Sequence, residues 1–152
     1  MSAVLDLQRL ELELARVLEE PEHARPAMTL VVIQFREPGP QDDARGAIPD
    51  LAASLATVAG ARLRRADTVA VLDERTLAAL LVGASPPAAE AVAGELVRLL
   101  QPLLPSWPGA SERSLAHGIA AATGATDTAS LIAAARADMQ RRVSGRREAT
   151  TR

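Results

Sequence analysis

The chain has 152 residues, a formal net charge of −2, no cysteine, and Phe35 and Trp107 as its aromatic residues. That length supports one domain with a sizeable core, here built from Leu, Val, Ile and Ala. The charge argues against binding a nucleic-acid polymer or anchoring electrostatically to a membrane, and the missing thiols exclude disulfides and thiolate metal sites.

Residues 4–19 are expected to form the first helix, because Leu7, Leu10, Leu14 and Val17 recur at three- and four-residue spacing. The start, Met1 to Arg9, has an early acid and no basic region, so it does not read as a signal peptide. The helix either packs on its own domain or meets its counterpart in a homodimer. Residues 29–36 are a near-continuous apolar run, the pattern of a strand buried on both faces. Pro38, Gly39, Pro40 and Gly46 mark 37–46 as loop. A helix follows over about 48–61, then strands 68–72 and 77–82 around a tip at 73–76.

Ser85-Pro86-Pro87 opens another helix, with the prolines where an N-terminus tolerates them, and Pro102 limits its far end. Residues 103–113 read as loop and 114–121 as strand. Thr126, Asp127 and Thr128 offer caps for a last helix over about 128–143, followed by a polar tail at 144–152. No stretch of about 18 apolar residues exists to span a membrane, and a cytoplasmic location is expected. His23 and His117 lack metal-ligand spacing, and no metal or cofactor site is read from the residues. His117, in an apolar strand, receives no role. Trp107, between Ser106 and Pro108, either anchors a partner or covers its own core.

The order helix, then β-α-β-β-α-β, then helix points to an α+β fold. It is a ferredoxin-like, mainly antiparallel sheet flanked by helices, with an extra N-terminal helix. Element order alone is weak evidence, but four local patterns add to it. These are Arg64-x-x-Asp67-Thr-Val-Ala leading into the hairpin, Leu77 to Gly83 after it, Ala116-His117-Gly118-Ile119-Ala120, and Leu131-Ile132-Ala133-Ala134-Ala135. As an ordered set, spread over most of residues 10–145, they resemble the GGDEF domain, the nucleotide-cyclase palm of diguanylate cyclases.

The resemblance places the five signature positions at Asp73, Glu74, Arg75, Thr76 and Leu77. It implies that acidic residues replace both glycines, which let a nucleotide approach the backbone, and that Arg75 and Thr76 replace the acidic pair. A cyclase uses a carboxylate there, with an Asp on its first strand, to hold two Mg²⁺ ions. That Asp falls near Val31 or Ile33, and Leu30 to Arg36 contains no carboxylate. Asp73 and Glu74 lie two residues early, a shift of roughly 6–7 Å along a strand. A catalytic constellation tolerates an error of about 1 Å. In the last helix Arg136 and Val143 stand where the family has Asp and Lys. The expected outcome is no catalytic residue and no cyclase activity.

Arg64 and Asp67 match the family's RxxD motif, which binds cyclic di-GMP; the guanidinium would fork onto guanine or phosphate. The same two residues also suit a helix-to-strand turn, where Asp67 caps backbone N–H groups. Two functions therefore stand. The chain is a protein-interaction or dimerisation module in bacterial signalling, or it is a cyclic di-GMP effector acting through Arg64 and Asp67.

Overall fold

The structure, a computed structural model, describes residues 4–21, 24, 27–36, 51–106, 114–122 and 127–150, with side chains described as far as Gly145. Its elements are β1 (Val4–Asp6), α1 (Leu7–Leu18), β2 (Met28–Arg36), α2 (Leu51–Arg62), β3 (Thr68–Asp73), β4 (Thr76–Val82), α3 (Pro86–Leu100), a 3₁₀ segment (Gln101–Ser106), β5 (Ser114–Ala121) and α4 (Thr128–Thr150). The strands form one sheet in the order β1-β3-β4-β2-β5. All neighbours are antiparallel except β1, which runs parallel to β3. Strands β2 to β5 thus reproduce the expected ferredoxin-like order, with β1 added at one edge.

Side-chain alternation along the strands divides the core into two layers. On one face Val31, Ile33 and Phe35 of β2 join Leu77, Ala79 and Leu81 of β4, beneath α2 and α3. On the other, Met28, Leu30 and Val32 join Ala78 and Leu80, beneath α1 and α4. The two middle strands, β2 and β4, are consequently buried along nearly their whole length. Small residues set the spacing of α2: Ala52, Ala56 and Ala59 all face inward, so the helix lies close to the sheet. Thr29, fully buried in β2, is satisfied by donating to the Ala84 carbonyl at 2.9 Å.

Several expected boundaries are corrected. Residues 4–6 are strand and not helix. Asp6 is extended (φ −90°, ψ 174°) and caps α1, its carboxylate accepting from the Arg9 N–H. An N-cap has non-helical backbone, so the helix begins after it. The hairpin tip is Glu74 and Arg75 alone, because Asp73 and Thr76 pair across the ladder beside a register shift between Val71 and Asp73. The 3₁₀ segment occupies 101–106, where Pro102 ends α3 without ending helical geometry. Helix α4 runs to Thr150 and not to 143, since no proline interrupts the polar stretch after Val143. The expected helix over 48–61 is described from Leu51 to Arg62.

The apolar stripe of α1 is turned inward. Leu10 and Leu14 are fully buried against the sheet and α4, and Val17 packs partly buried on the same layer, with Leu7 half-buried. Leu10 and Leu14, expected as candidates for a partner interface, are therefore packed into the domain's own core. Among the described residues the exposed large apolar side chains are Val4 and Leu12. Trp107 lies outside the described residues.

Candidate functional site

The β3–β4 hairpin carries Asp73 to Leu77, the five positions that the resemblance assigned to the signature, and the ladder includes Asp73, Thr76 and Leu77. Leu77 is buried in the core opposite Ile33. Thr76 is also fully buried, and its hydroxyl accepts from Gln34 Nε2 at 3.2 Å. Gln34 Oε1 in turn accepts from Arg36 Nη1 at 3.2 Å. The Arg75 carbonyl accepts from the Phe35 N–H, tying the tip to the end of β2. Asp73 accepts from the Arg75 N–H at 2.8 Å through one carboxylate oxygen and from Arg136 Nη2 of α4 at 2.9 Å through the other. Partial burial pushes the Asp73 carboxyl up, but the bonds from the Arg75 N–H, Arg136 and Thr76 outweigh it and hold it below its ordinary value.

This arrangement does not suit a pair of divalent cations. Mg²⁺ takes hard oxygen ligands. The tip instead carries the cationic Arg75, and its Asp73 is already gripped by Arg136. Val31 and Ile33, on the strand facing the tip, are apolar and fully buried. Among the described residues no three of His, Cys, Asp or Glu cluster as metal ligands.

Arg64 and Asp67 are brought together at the corner between α2 and β3, against the end of β4. Asp67 Oδ2 accepts from the Arg64 N–H and Oδ1 from the Val82 N–H, each at 3.1 Å. Its side chain is only 4% exposed. Arg64 donates from Nη2 to the Val82 carbonyl at 2.7 Å, while its side chain stays 70% exposed. Asp67 thus performs the turn-capping task, splicing the corner onto β4. The chain leaves β4 through Gly83 at φ +80°, a left-handed conformation that favours glycine. Beside the pair lies a cavity of about 320 Å³ lined by Arg62, Arg64 and Asp67 together with Leu81, Ala88 and Val92. A second cavity, about 480 Å³, lies between α1 and the start of α4 and is lined by Glu11, Leu18, Glu19 and Asp127 among others.

A third cluster was not read from the sequence. His117 Nε2 lies 2.9 Å from Glu90 Oε1 of α3, and Arg142 Nη1 of α4 reaches the same oxygen at 2.7 Å. Arg142 Nε donates to Asp138 Oδ2 at 2.9 Å, and that oxygen also accepts from the Ile119 N–H at 2.9 Å. The sequence signals for it are slight: one histidine in an apolar strand, and an Asp138/Arg142 pair at helical i, i+4 spacing. The bond from Arg142, aided by His117, outweighs burial and lowers the Glu90 carboxyl to about 2, and bonding to Glu90 raises Arg142. A depressed carboxyl stabilises the fold above its unfolded value, near 4.5, and that contribution is lost as pH falls towards 2. The melting temperature of Glu90→Gln should therefore lie below wild type at pH 7, with the gap closing between pH 4.5 and 2. A gap that is the same at pH 7 and pH 2 would show that ionised Glu90 adds nothing.

No family model matches the sequence, and no curated protein does either. Solved structures do match. The GGDEF domain of FimX from Pseudomonas aeruginosa superposes with a TM-score of 0.71 at 19% identity, over 91% of this chain and 88% of that one. The GGDEF domain of YfiN (TpbB) from the same organism gives 0.70 at 24% identity, over 92% and 90%. The coiled coil and GGDEF domain of DgcB from Caulobacter crescentus, solved in complex with c-di-GMP, gives 0.69 at 15% identity, over 95% and 78%. The chain has the GGDEF-domain fold, the α+β palm that the sequence patterns implied.

Proposed function

We propose that this chain is a GGDEF-fold module without cyclase activity, which acts as a regulatory interaction module by docking another protein. The observation that carries the reading is the hairpin tip. Where a cyclase would present carboxylates to metal ions, this tip has Arg75 and a buried Thr76, its Asp73 is held by Arg136, and the facing strand has no acid. Loss of ligands from several separate elements, with both core layers intact, is what a fold kept for its surface would display. No helix among the described residues is long and apolar enough to cross a membrane.

A second reading is cyclic di-GMP binding at Arg64 and Asp67. The cavity beside them and the exposed Arg64 guanidinium favour it. Against it, Asp67 is buried and accepts from two backbone donors, so its carboxylate is poorly placed to meet a guanine edge.

Two measurements on the purified chain separate these readings. Incubation with GTP and Mg²⁺ should yield no cyclic di-GMP above the enzyme-free control; accumulating product would overturn the silent-module reading. Calorimetry with cyclic di-GMP should give no heat at high ligand concentration. Heat that disappears in Arg64→Ala would instead establish the effector reading. A docking partner is accepted only when the complex re-forms from two purified proteins.

A further inference from the structure

Among the described residues strand β5 ends the sheet, with β2 on one side and no strand on the other. It is eight residues long, and His117 is its one titratable side chain. An edge this long and this apolar is a template for pairing with another chain. The opposite edge, β1, has only three residues and offers little ladder.

Two outward backbone donors of β5 are covered by side chains. The Leu115 N–H donates to Gln101 Oε1 at 3.0 Å, from the 3₁₀ segment, and the Ile119 N–H to Asp138 Oδ2 at 2.9 Å, from α4. Their spacing of four residues places both on the side away from β2. Asp138 is itself fixed by Arg142, and Arg142 continues past the edge to Glu90 and His117. Since α4 packs on one face of the sheet and α3 on the other, this chain of charges wraps round the strand. Main-chain donors that would otherwise seek a partner strand are thereby satisfied within the molecule.

We propose that this clasp guards the β5 edge, and that what it keeps away is the β5 strand of a second copy of this chain. Two copies meeting edge to edge would be related by a two-fold axis, each offering the other the same antiparallel ladder. With no Asp, Glu, Lys or Arg in Ser114–Ala121, no permanently charged like pair opposes that meeting. Sheet addition of this kind takes its affinity from main-chain bonds, and those are the bonds that Gln101 and Asp138 pre-empt.

The test compares the whole chain with the double variant Gln101→Ala/Asp138→Ala by light scattering coupled to size exclusion. It also compares their binding of a synthetic peptide of residues 114–121. The expected result is a doubling of the wild-type mass at high protein concentration. At least tenfold tighter peptide binding should accompany it, with both effects reversed by adding His117→Pro, which removes an outward N–H. A folded double variant with wild-type mass and wild-type peptide affinity would overturn the proposal, as would association that survives His117→Pro. If the double variant does not fold, Gln101→Ala decides alone. That change leaves the α4 network whole, and without a tenfold gain in peptide binding the proposal fails. None of these outcomes bears on cyclase activity or on the protein docked, so this proposal stands or falls separately from the function above.

Discussion

Gly118→Ala is expected to destabilise the protein by about 3 kcal/mol, a loss of roughly 10 °C in melting temperature. A methyl group at this position of β5 would lie against the Ala135 carbonyl and 2.5 Å from the Met139 backbone nitrogen, with Met139 Cβ at 2.8 Å. These are mainly backbone atoms of α4, so no side chain can rotate away. The whole helix must lift. Helix α4 closes the core layer it shares with α1 through Leu131, Ala135 and Met139, and it carries Arg136 to the hairpin tip and Asp138 and Arg142 to the β5 edge. The loss should therefore appear in thermal or urea unfolding and also as faster amide exchange at Ile119. A Gly118→Ala protein within about 0.5 kcal/mol of wild type would mean that α4 is not seated this closely. Gly145, with open space around it, is the matched control and should tolerate alanine.

Asp67→Ala is expected to cost about 2 kcal/mol, because it strands two backbone donors, Arg64 N–H and Val82 N–H, at a corner the carboxylate now holds. Asp67→Asn keeps one acceptor oxygen and should lose about half as much. Arg64→Ala, at a side chain 70% exposed, should lose less than about 1 kcal/mol. Urea unfolding of the three variants checks the order. If Asp67→Ala were as mild as Arg64→Ala, the capping role would be wrong and a ligand role for Asp67 would gain weight. The ranking also decides how ligand binding should be probed. A loss of binding in Asp67→Ala is confounded by local unfolding, whereas Arg64→Ala tests the guanidinium with the corner intact.

How much of the site was legible follows from how each feature is encoded. The hairpin was legible because its strands announce themselves by composition, and Thr68–Asp73 and Thr76–Val82 fall within a residue of the expected limits. The tip proved shorter because a register shift between Val71 and Asp73 draws Asp73 into the ladder, and such irregularities depend on the partner strand. The RxxD spacing was visible and capping by Asp67 was one of its two readings, but the donor from Val82, fifteen residues later, was not legible. The inward turn of α1 was undetermined because a stripe of leucines is equally suited to the chain's own sheet and to a second helix.

From the sequence alone came the β-α-β-β-α-β order and the double burial of β2. Both follow from local patterns, apolar periodicity along the helices and an unbroken apolar run at 29–36, which need no knowledge of neighbours. The tertiary structure decided that Val4–Asp6 joins the sheet, that Leu10 and Leu14 face inward, and that Glu90, His117, Asp138 and Arg142 form one network. The reason is separation along the chain. Asp73 meets Arg136 across 63 residues and Glu90 meets Arg142 across 52, and no local pattern records which distant charge will arrive.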